Sequence, residues 1–364
     1  MSTRRSVTKK AAARGIVFTD CEQLTAERAL GPRAKRRQVV IKGRRVKVID
    51  VHAHCVIPQA VELMGPNGRN ARSSVVRGSE EAVIVLETRL RAMDQQGIDM
   101  EALSINPFWY RTEREIASQI VDIQNEKLSE LCATQPDRFV AFASLALQFP
   151  DLAVRQLEVA VKKLGLRGAA IGGSVAGEEF ANPKFHPVWA KAEELGVLLF
   201  IHPAGMPELA NRLKGNGWLG NTIGNPLDTT IALSHLIFEG TLDRFPGLKI
   251  CAAHGGGYLP SYAARSDHAC SVSPLSCDSS IMLKKKPSEY LKQMYFDSLV
   301  FTSEALRHLA AEVGPSHIVL GTDYPFRWQD KSVDHVLKTA SLTDAQRVAI
   351  LGGTAAKLLG IRKS

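Results

Sequence analysis

The 364-residue sequence predicts an α/β protein built as a closed (β/α)8 barrel of the TIM type. Three features carry that expectation. Eight short apolar runs recur after residue 45, helix-like stretches separate them, and several of the runs end in His or Asp. The runs are 46–54 (VKVIDVHAH), 100–106 (MEALSIN), 139–147 (FVAFASLAL) and 168–173 (GAAIGG), followed by 197–203 (VLLFIHP), 249–256 (KICAAHGG), 294–300 (MYFDSLV) and 317–324 (HIVLGTDY).

Helix-like segments lie at 81–97, 112–135, 151–164, 183–195 and 226–240. Gly97, Gly165 and Gly196 stand at the ends of three of them, where a left-handed cap is needed before the next strand. Two connections are long, 55–80 after the first strand and 204–225 after the fifth. The second (KGNGWLGNTIGNP) is crowded with Gly and Asn, as an irregular loop over a site would be. Residues 1–45 form a basic N-terminal extension, with a β-hairpin suggested by RQVVIKGRRVKVI turning at Lys42-Gly43. Residues 46–364 form the barrel, and no second domain is expected.

Hydrophobic content of 45% and charged content of 23% are ordinary for a globular chain, and no apolar run is long enough to span a membrane. The start carries a twin arginine, Arg4-Arg5, without a long apolar segment behind it, and reads as mature protein. Six cysteines, at 21, 55, 132, 251, 270 and 277, make no close Cys-x-x-Cys pair and read as free thiols of a cytoplasmic protein. Residues 1–48 hold 14 Lys and Arg against 3 Asp and Glu, more than the whole chain's net +9, so the remainder is slightly acidic. Such an arm could touch nucleic acid. No aromatic-rich groove or nucleic-acid motif accompanies it, so a solvated or subunit-contacting extension is the better reading.

In a (β/α)8 barrel the active site lies at the carboxyl ends of the strands. Strand one ends with His52 and His54, strand five with His202, strand six with His254 and strand eight with Asp323. One histidine at a strand end is usually a hydrogen-bonded core or loop residue. Five ionisable groups converging on one mouth are hard to explain by packing, because unpartnered polar burial is costly. They suit a metal: zinc takes imidazole nitrogen and carboxylate oxygen with one position left open, which His52, His54, His202 and Asp323 would supply. Manganese or iron is also compatible with mixed N/O ligands. His254 would then serve as the general base, the proton acceptor not consumed by the metal. Asp50 shares the parity of His52 and His54 one layer deeper and is expected to hydrogen-bond rather than ligate. Cys55 has the opposite parity and faces away. His186 and His235 read as structural, with His235 a wall residue of an apolar helix. His268 could lie near the mouth, and His308, His317 and His335 look peripheral.

At these residues the chain resembles the amidohydrolase superfamily, and more narrowly aminocarboxymuconate-semialdehyde decarboxylase and related metal-dependent aromatic-acid decarboxylases. The resemblance spans residues 46–361 and rests on VIDVHAH, RLRAMDQQGID, LLFIHP, VLGTDYPF and, most specifically, residues 224–265. It implies His52, His54, His202 and Asp323 on zinc, with Asp323 and His254 catalytic and metal-bound water activated by His254. It also implies that Arg265 binds substrate carboxylate in the neighbouring subunit's site, hence a homodimer or dimer-based oligomer, and that a second arginine, best matched by Arg77 with Arg72 as the alternative, also holds the substrate carboxylate. A planar guanidinium suits such a carboxylate. Some relatives of that group carry Glu in place of the first histidine, and others carry Glu in place of the aspartate. His52 and Asp323 place this chain on the aminocarboxymuconate-like side.

The expected activity is decarboxylation of a small unsaturated or aromatic carboxylic acid, without an organic cofactor. The alternative on the same site is hydrolysis or hydration of a lactone, amide or ring-cleavage product. A non-enzymatic nucleic-acid binder working through the basic arm is the third reading, and the intact ligand set argues against it. The loops 55–80, 106–111 and 204–225 would line the pocket, with Trp109 and Trp218 as candidate walls.

Overall fold

Each of the eight apolar runs forms a parallel strand in the computed structural model, which describes residues 35–65, 86–326, 328 and 331–362. A short antiparallel pair comes first: β1 (Val40–Ile41) and β2 (Arg44–Arg45). Lys42 and Gly43 between them both have positive φ, the two-residue turn that matches strand twist. The barrel strands follow as β3 (Ile49–His54), β4 (Met100–Ser104), β5 (Phe139–Ala141), β6 (Gly168–Ile171), β7 (Leu198–Ile201), β8 (Lys249–Ala252), β9 (Tyr295–Asp297) and β10 (Ile318–Val319).

The strands lie in two parallel ladders, β3-β4-β5 and β6-β7-β8-β9-β10. Parallel bridges join the ladders at both seams. Ala143 meets Ala169 beyond β5, while Asp50 and Ala53 of β3 meet Leu320 and Tyr324 beyond β10. The second seam carries backbone bonds from Val51 to Leu320, from Asp323 to His52 and from His54 to Tyr324 (2.7–2.9 Å).

Alternation sorts the strand side chains. Ile49, Val51, Met100, Ala102, Phe142 and Phe200, with partners from the other strands, fill the barrel interior. Their neighbours, among them Leu103, Leu199, Ile201 and Ala252, face the surrounding helices. Those helices include Leu86–Gln96, Arg114–Thr134, Pro150–Lys162, His186–Leu195 and Asn225–Phe238. Gly97, Gly165 and Gly196 have φ of +80, +70 and +63 at the breaks before β4, β6 and β7.

The described part of the basic extension is tied to the barrel. Arg36 and Arg45 both reach Asp99, just ahead of β4, at 2.5 and 2.7 Å, while Arg37 pairs with Asp334 and Lys42 with Asp344. These contacts place residues 35–45 at the amino end of the strands, opposite the mouth.

The expectation of free thiols needs correcting. Cys270 and Cys277 form a disulfide, because a helical turn (Ala269–Val272) followed by a 3-10 turn (Pro274–Ser276) folds the eight-residue segment back on itself. Two cysteines seven apart form no recognised sequence motif, and only this local chain reversal brings the sulfurs together. Cys55, Cys132 and Cys251 are free, and Cys21 lies outside the described residues. Among the described residues no helix is long and apolar enough to cross a membrane.

Candidate metal centre

Four strands deliver five polar side chains to the carboxyl end of the barrel. His52 and His54 lie on β3, His202 follows β7, His254 follows β8 and Asp323 follows β10. His202 continues the inward parity of Leu198 and Phe200. His254 and Asp323 each sit at positive φ, +54 and +59, so a turn rather than strand alternation aims them. Phe200 underlies the cluster, its ring 5.1 Å from that of His52 and stacked on Phe142 at 5.8 Å.

The geometry is close. His52 Nε2 and His54 Nε2 are 3.0 Å apart. They stand 3.1 and 2.9 Å from Asp323 Oδ1, and His202 Nε2 is 4.0 Å from the same oxygen. His254 Nε2 instead faces the other carboxylate oxygen, Oδ2, at 3.6 Å. A tetrahedral ion with bonds of about 2.0–2.2 Å needs ligand atoms roughly 3.4 Å apart, close to these spacings. His52, His202, His254 and Asp323 also offer one ligand atom each within 4.8 Å of one another. Two overlapping sets are therefore on offer, differing in whether His54 or His254 is the fourth member.

Hydrogen bonding tests whether a metal fits. His52 Nδ1 meets Asp297 Oδ2 at 2.6 Å and His54 Nδ1 meets Ser104 Oγ at 3.0 Å, which fixes both rings with Nε2 toward the site. Both nitrogens of His202 and Oδ1 of Asp323 are buried without a hydrogen-bond partner. Burying such atoms is costly unless something binds them, and a divalent cation is what this donor set would accept.

Electrostatics agree. Burial opposes the charge on Asp323, yet His52 and the contacts with His254 and His54 hold its carboxyl well below the usual range. Burial likewise opposes charging His52, but the Asp323 and Asp297 carboxylates raise it to about 10. Burial pushes His54 down to about 4 and His202 well below its ordinary value. Without a metal, the proton held on His52 is the positive charge shared by the two carboxylates, and a cation bound by the imidazole nitrogens would displace it.

Asp297 is the residue that sequence reasoning passed over. It ends the apolar run MYFDSLV as Asp323 ends its own, and that was the available signal. Its Oδ1 accepts from Gly255 N and Leu299 N, and its Oδ2 from His52 and His254 N. Gly321 makes room for it: a Cβ there would lie 2.7 Å from the Cβ of Asp297. Asp50 does hydrogen-bond, accepting from His52 N, Thr322 N and Thr322 Oγ1. The parity argument for it fails, because β3 shifts register between Asp50 and Ala53 and its interior residues below the shift are Ile49 and Val51.

The other candidates separate clearly. A cavity of about 200 Å³ opens over His202, His254 and Asp323, walled in part by Phe108, Trp218 and Trp328. Trp218 is therefore at the mouth, whereas Trp109 is fully buried and donates to Leu145 O. Arg265 is exposed on the helix Leu259–Ser266 and does not line this cavity. Arg77 and Arg72 lie outside the described residues. His186 opens its helix. His235 is half-buried on its helix and pairs with Glu239. His268 is exposed and lines neither this cavity nor its neighbour. Among the described residues lining the cavity there is no Lys or Arg.

Comparison with known proteins adds chemistry to this geometry. The model of the amidohydrolase family matches residues 49–361. The chain is 30% identical over 278 residues to 2-amino-3-carboxymuconate-6-semialdehyde decarboxylase of Dictyostelium discoideum, covering 76% of each chain. It is 32% identical over 290 residues to gamma-resorcylate decarboxylase of a Rhizobium species, covering 76% of this chain and 86% of that one. A solved dihydroxybenzoic acid decarboxylase from a Polaromonas species, with bound manganese and the inhibitor 2-nitroresorcinol, superposes with a TM-score of 0.73 at 27% identity, over 88% of this chain and 98% of that one. The chain belongs to the amidohydrolase family.

Proposed function

From that membership we propose that the chain is a metal-dependent carboxy-lyase that removes CO2 from a small aromatic or unsaturated carboxylic acid. One observation carries the reading: three imidazoles face a buried carboxylate oxygen that has no hydrogen-bond partner, at the floor of a largely apolar cavity. His52, His54 and His202 through nitrogen and Asp323 through Oδ1 are the ligands we assign. His254 is left free, because it faces Oδ2 rather than Oδ1. A divalent ion held there, zinc by donor preference with manganese or iron as substitutes, would supply Lewis acidity to the substrate and lower the pKa of water.

The chain's own residues do the rest. Asp297 fixes the His52 ring and the His254 backbone together, so ligand and acid–base group share one anchor. His254 Nδ1 is buried and Nε2 faces Asp323 Oδ2, so Nε2 is the atom that exchanges a proton. A proton from His254 Nε2 adds to the carbon that bears the carboxylate, using a π pair of the substrate; the bond from that carbon to the carboxylate then breaks, its electron pair restores the π system, CO2 leaves, and His254 regains a proton from solvent. Phe108, Trp218, Phe326 and Trp328 supply the apolar part of the lining against which the ring rests.

With no Lys or Arg among the described residues lining the cavity, a guanidinium for the substrate carboxylate has to come from elsewhere. Arg265, exposed beyond β8, is assigned to the site of a second subunit, and Arg77 to the chain's own. Exposed Tyr262, Val272, Leu275 and Met282 in the same region supply an apolar face for that dimer. We place the protein in the cytoplasm on the free thiols of Cys55, Cys132 and Cys251 among the described residues, against which the Cys270–Cys277 bridge stands, and a thiol count on protein from freshly lysed cells decides the point.

The test is metal analysis followed by a screen of hydroxybenzoates and ring-cleavage acids. Release of CO2 with proton uptake supports the reading, whereas incorporation of solvent oxygen into product without CO2 would make the protein a hydrolase or hydratase on the same site.

A further inference from the structure

The cavity over the metal ligands does not end at them. A second lobe of about 340 Å³ continues from it, sharing Asn221, Asn225, His254 and Trp328 and adding Thr222, Pro226 and Phe301. Trp218 and Trp328 stack at the junction, with centroids 5.3 Å apart and planes 16° apart, and Phe301 stands edge-on to Trp328 at 6.5 Å.

Two further features single out these rings. Trp218 and Phe301 are half exposed, at 50% and 51%, although each is a large apolar side chain. Both also have left-handed backbone, with φ of +52 and +65. Among the described residues seven non-glycine positions have positive φ, and four of them, Trp218, His254, Phe301 and Asp323, border the two lobes. Bulky residues occupy that region at a cost and do so mainly where a site requires it. Phe301 precedes the Thr302 cap of the helix Ser303–Val313, where a hydrophobic staple would bury it; its exposure shows that it is not acting as one.

Resting on the decarboxylase reading, we propose that Phe301 and Trp328, with Trp218 stacked on Trp328 at the junction, form a second subsite, which takes an apolar chain or second ring attached to the acid being decarboxylated. The inner lobe is of the size of one ring with its carboxylate, and the outer lobe is the larger of the two. Its aromatic lining recognises apolar and π surface, while the Asn221 and Asn225 amides at the junction suit a ring hydroxyl. The substrate class is therefore an aryl- or alkyl-substituted hydroxybenzoate rather than the unsubstituted ring.

The test uses the metal-loaded full-length protein with 2,6-dihydroxybenzoate and the same acid carrying a pentyl or phenyl group at C3 or C4. The substituted acid is expected to have a kcat/KM about tenfold higher, mainly through KM, as burial of one added apolar group predicts. Phe301→Ala and Trp328→Ala should each remove most of that preference and Phe301→Leu should retain part of it. Binding of resorcinol against 4-phenylresorcinol, followed by calorimetry, separates the two proposals because it needs no turnover. If no acid releases CO2 but the phenyl compound binds tighter and loses that advantage in Phe301→Ala, the subsite stands and the decarboxylase reading fails. Turnover with no preference for the substituted acid, or an equal loss for both acids, overturns the subsite. Dissociation of a dimer in Phe301→Ala with equal effects on both acids would assign the rings to a subunit contact and overturn it as well.

Discussion

Asp297 and Asp323 are buried carboxylates on either side of His52, and the fold treats them in opposite ways. Both oxygens of Asp297 are saturated, two donors on each, from Gly255, Leu299, His52 and His254. Asp323 Oδ1 sits among three imidazole nitrogens and has no hydrogen-bond partner. A carboxylate with every lone pair used positions other groups. One whose Oδ1 is ringed at 2.9–4.0 Å by three imidazole nitrogens is placed to share a cation with them. Asp50 belongs with Asp297, since Thr322 and the His52 backbone supply its donors.

The largest expected effect comes from breaking the unsatisfied member. Asp323→Ala should abolish stoichiometric metal binding and reduce turnover at least about 1,000-fold, with loss of the Lewis acid. Metal content by elemental analysis is the check, and a fully loaded Asp323→Ala protein would refute the ligand role. His254→Ala should keep the metal and lose turnover by about 100- to 10,000-fold, the range of a general acid–base group. His202→Ala, by contrast, should lose metal affinity. Asp297→Asn tests the saturated member: metal affinity should fall by about 10- to 100-fold, as for other groups that orient ligands, with turnover recovering at high metal concentration.

The smallest effect concerns stability. Asp228, in the first turn of the helix Asn225–Phe238, accepts from Ala204 N just beyond His202, and burial raises its pKa to about 7. A carboxyl raised in the folded state binds its proton more tightly there than in the unfolded chain. Its stabilising contribution is full below the unfolded value of 3.8 and is lost as pH rises through about 7. Wild type should thus become less stable between pH 4 and 7 through this group. Asp228→Asn should flatten that part of the profile, and denaturant midpoints at pH 5 and 8 in both proteins measure it.

Much of this was legible in the sequence because it depends on short-range patterns. The strand ends, the three glycine stops and the inward His202 follow from alternation and from Gly at positive φ. The five polar residues at the mouth could be read because each interrupts an otherwise apolar run. What escaped depends on departures from alternation or on distant pairing. The register shift in β3 put Ile49 and Val51 inside and sent Asp50 to the seam with Thr322. Positive φ, not parity, aims His254 and Asp323. Asp297 serves a histidine 245 residues away, and the sulfurs of Cys270 and Cys277 meet only because the chain reverses between them.

The central claim is that one ion is held by three imidazoles and Asp323, with His254 outside the coordination shell. Anomalous diffraction from crystals of the metal-loaded protein tests it directly. The account predicts one peak per chain about 2.0–2.2 Å from a nitrogen of His52, His54 and His202 and from Asp323 Oδ1, with His254 beyond bonding distance. A peak that takes His254 in place of His54, or no peak under saturating metal, would contradict it.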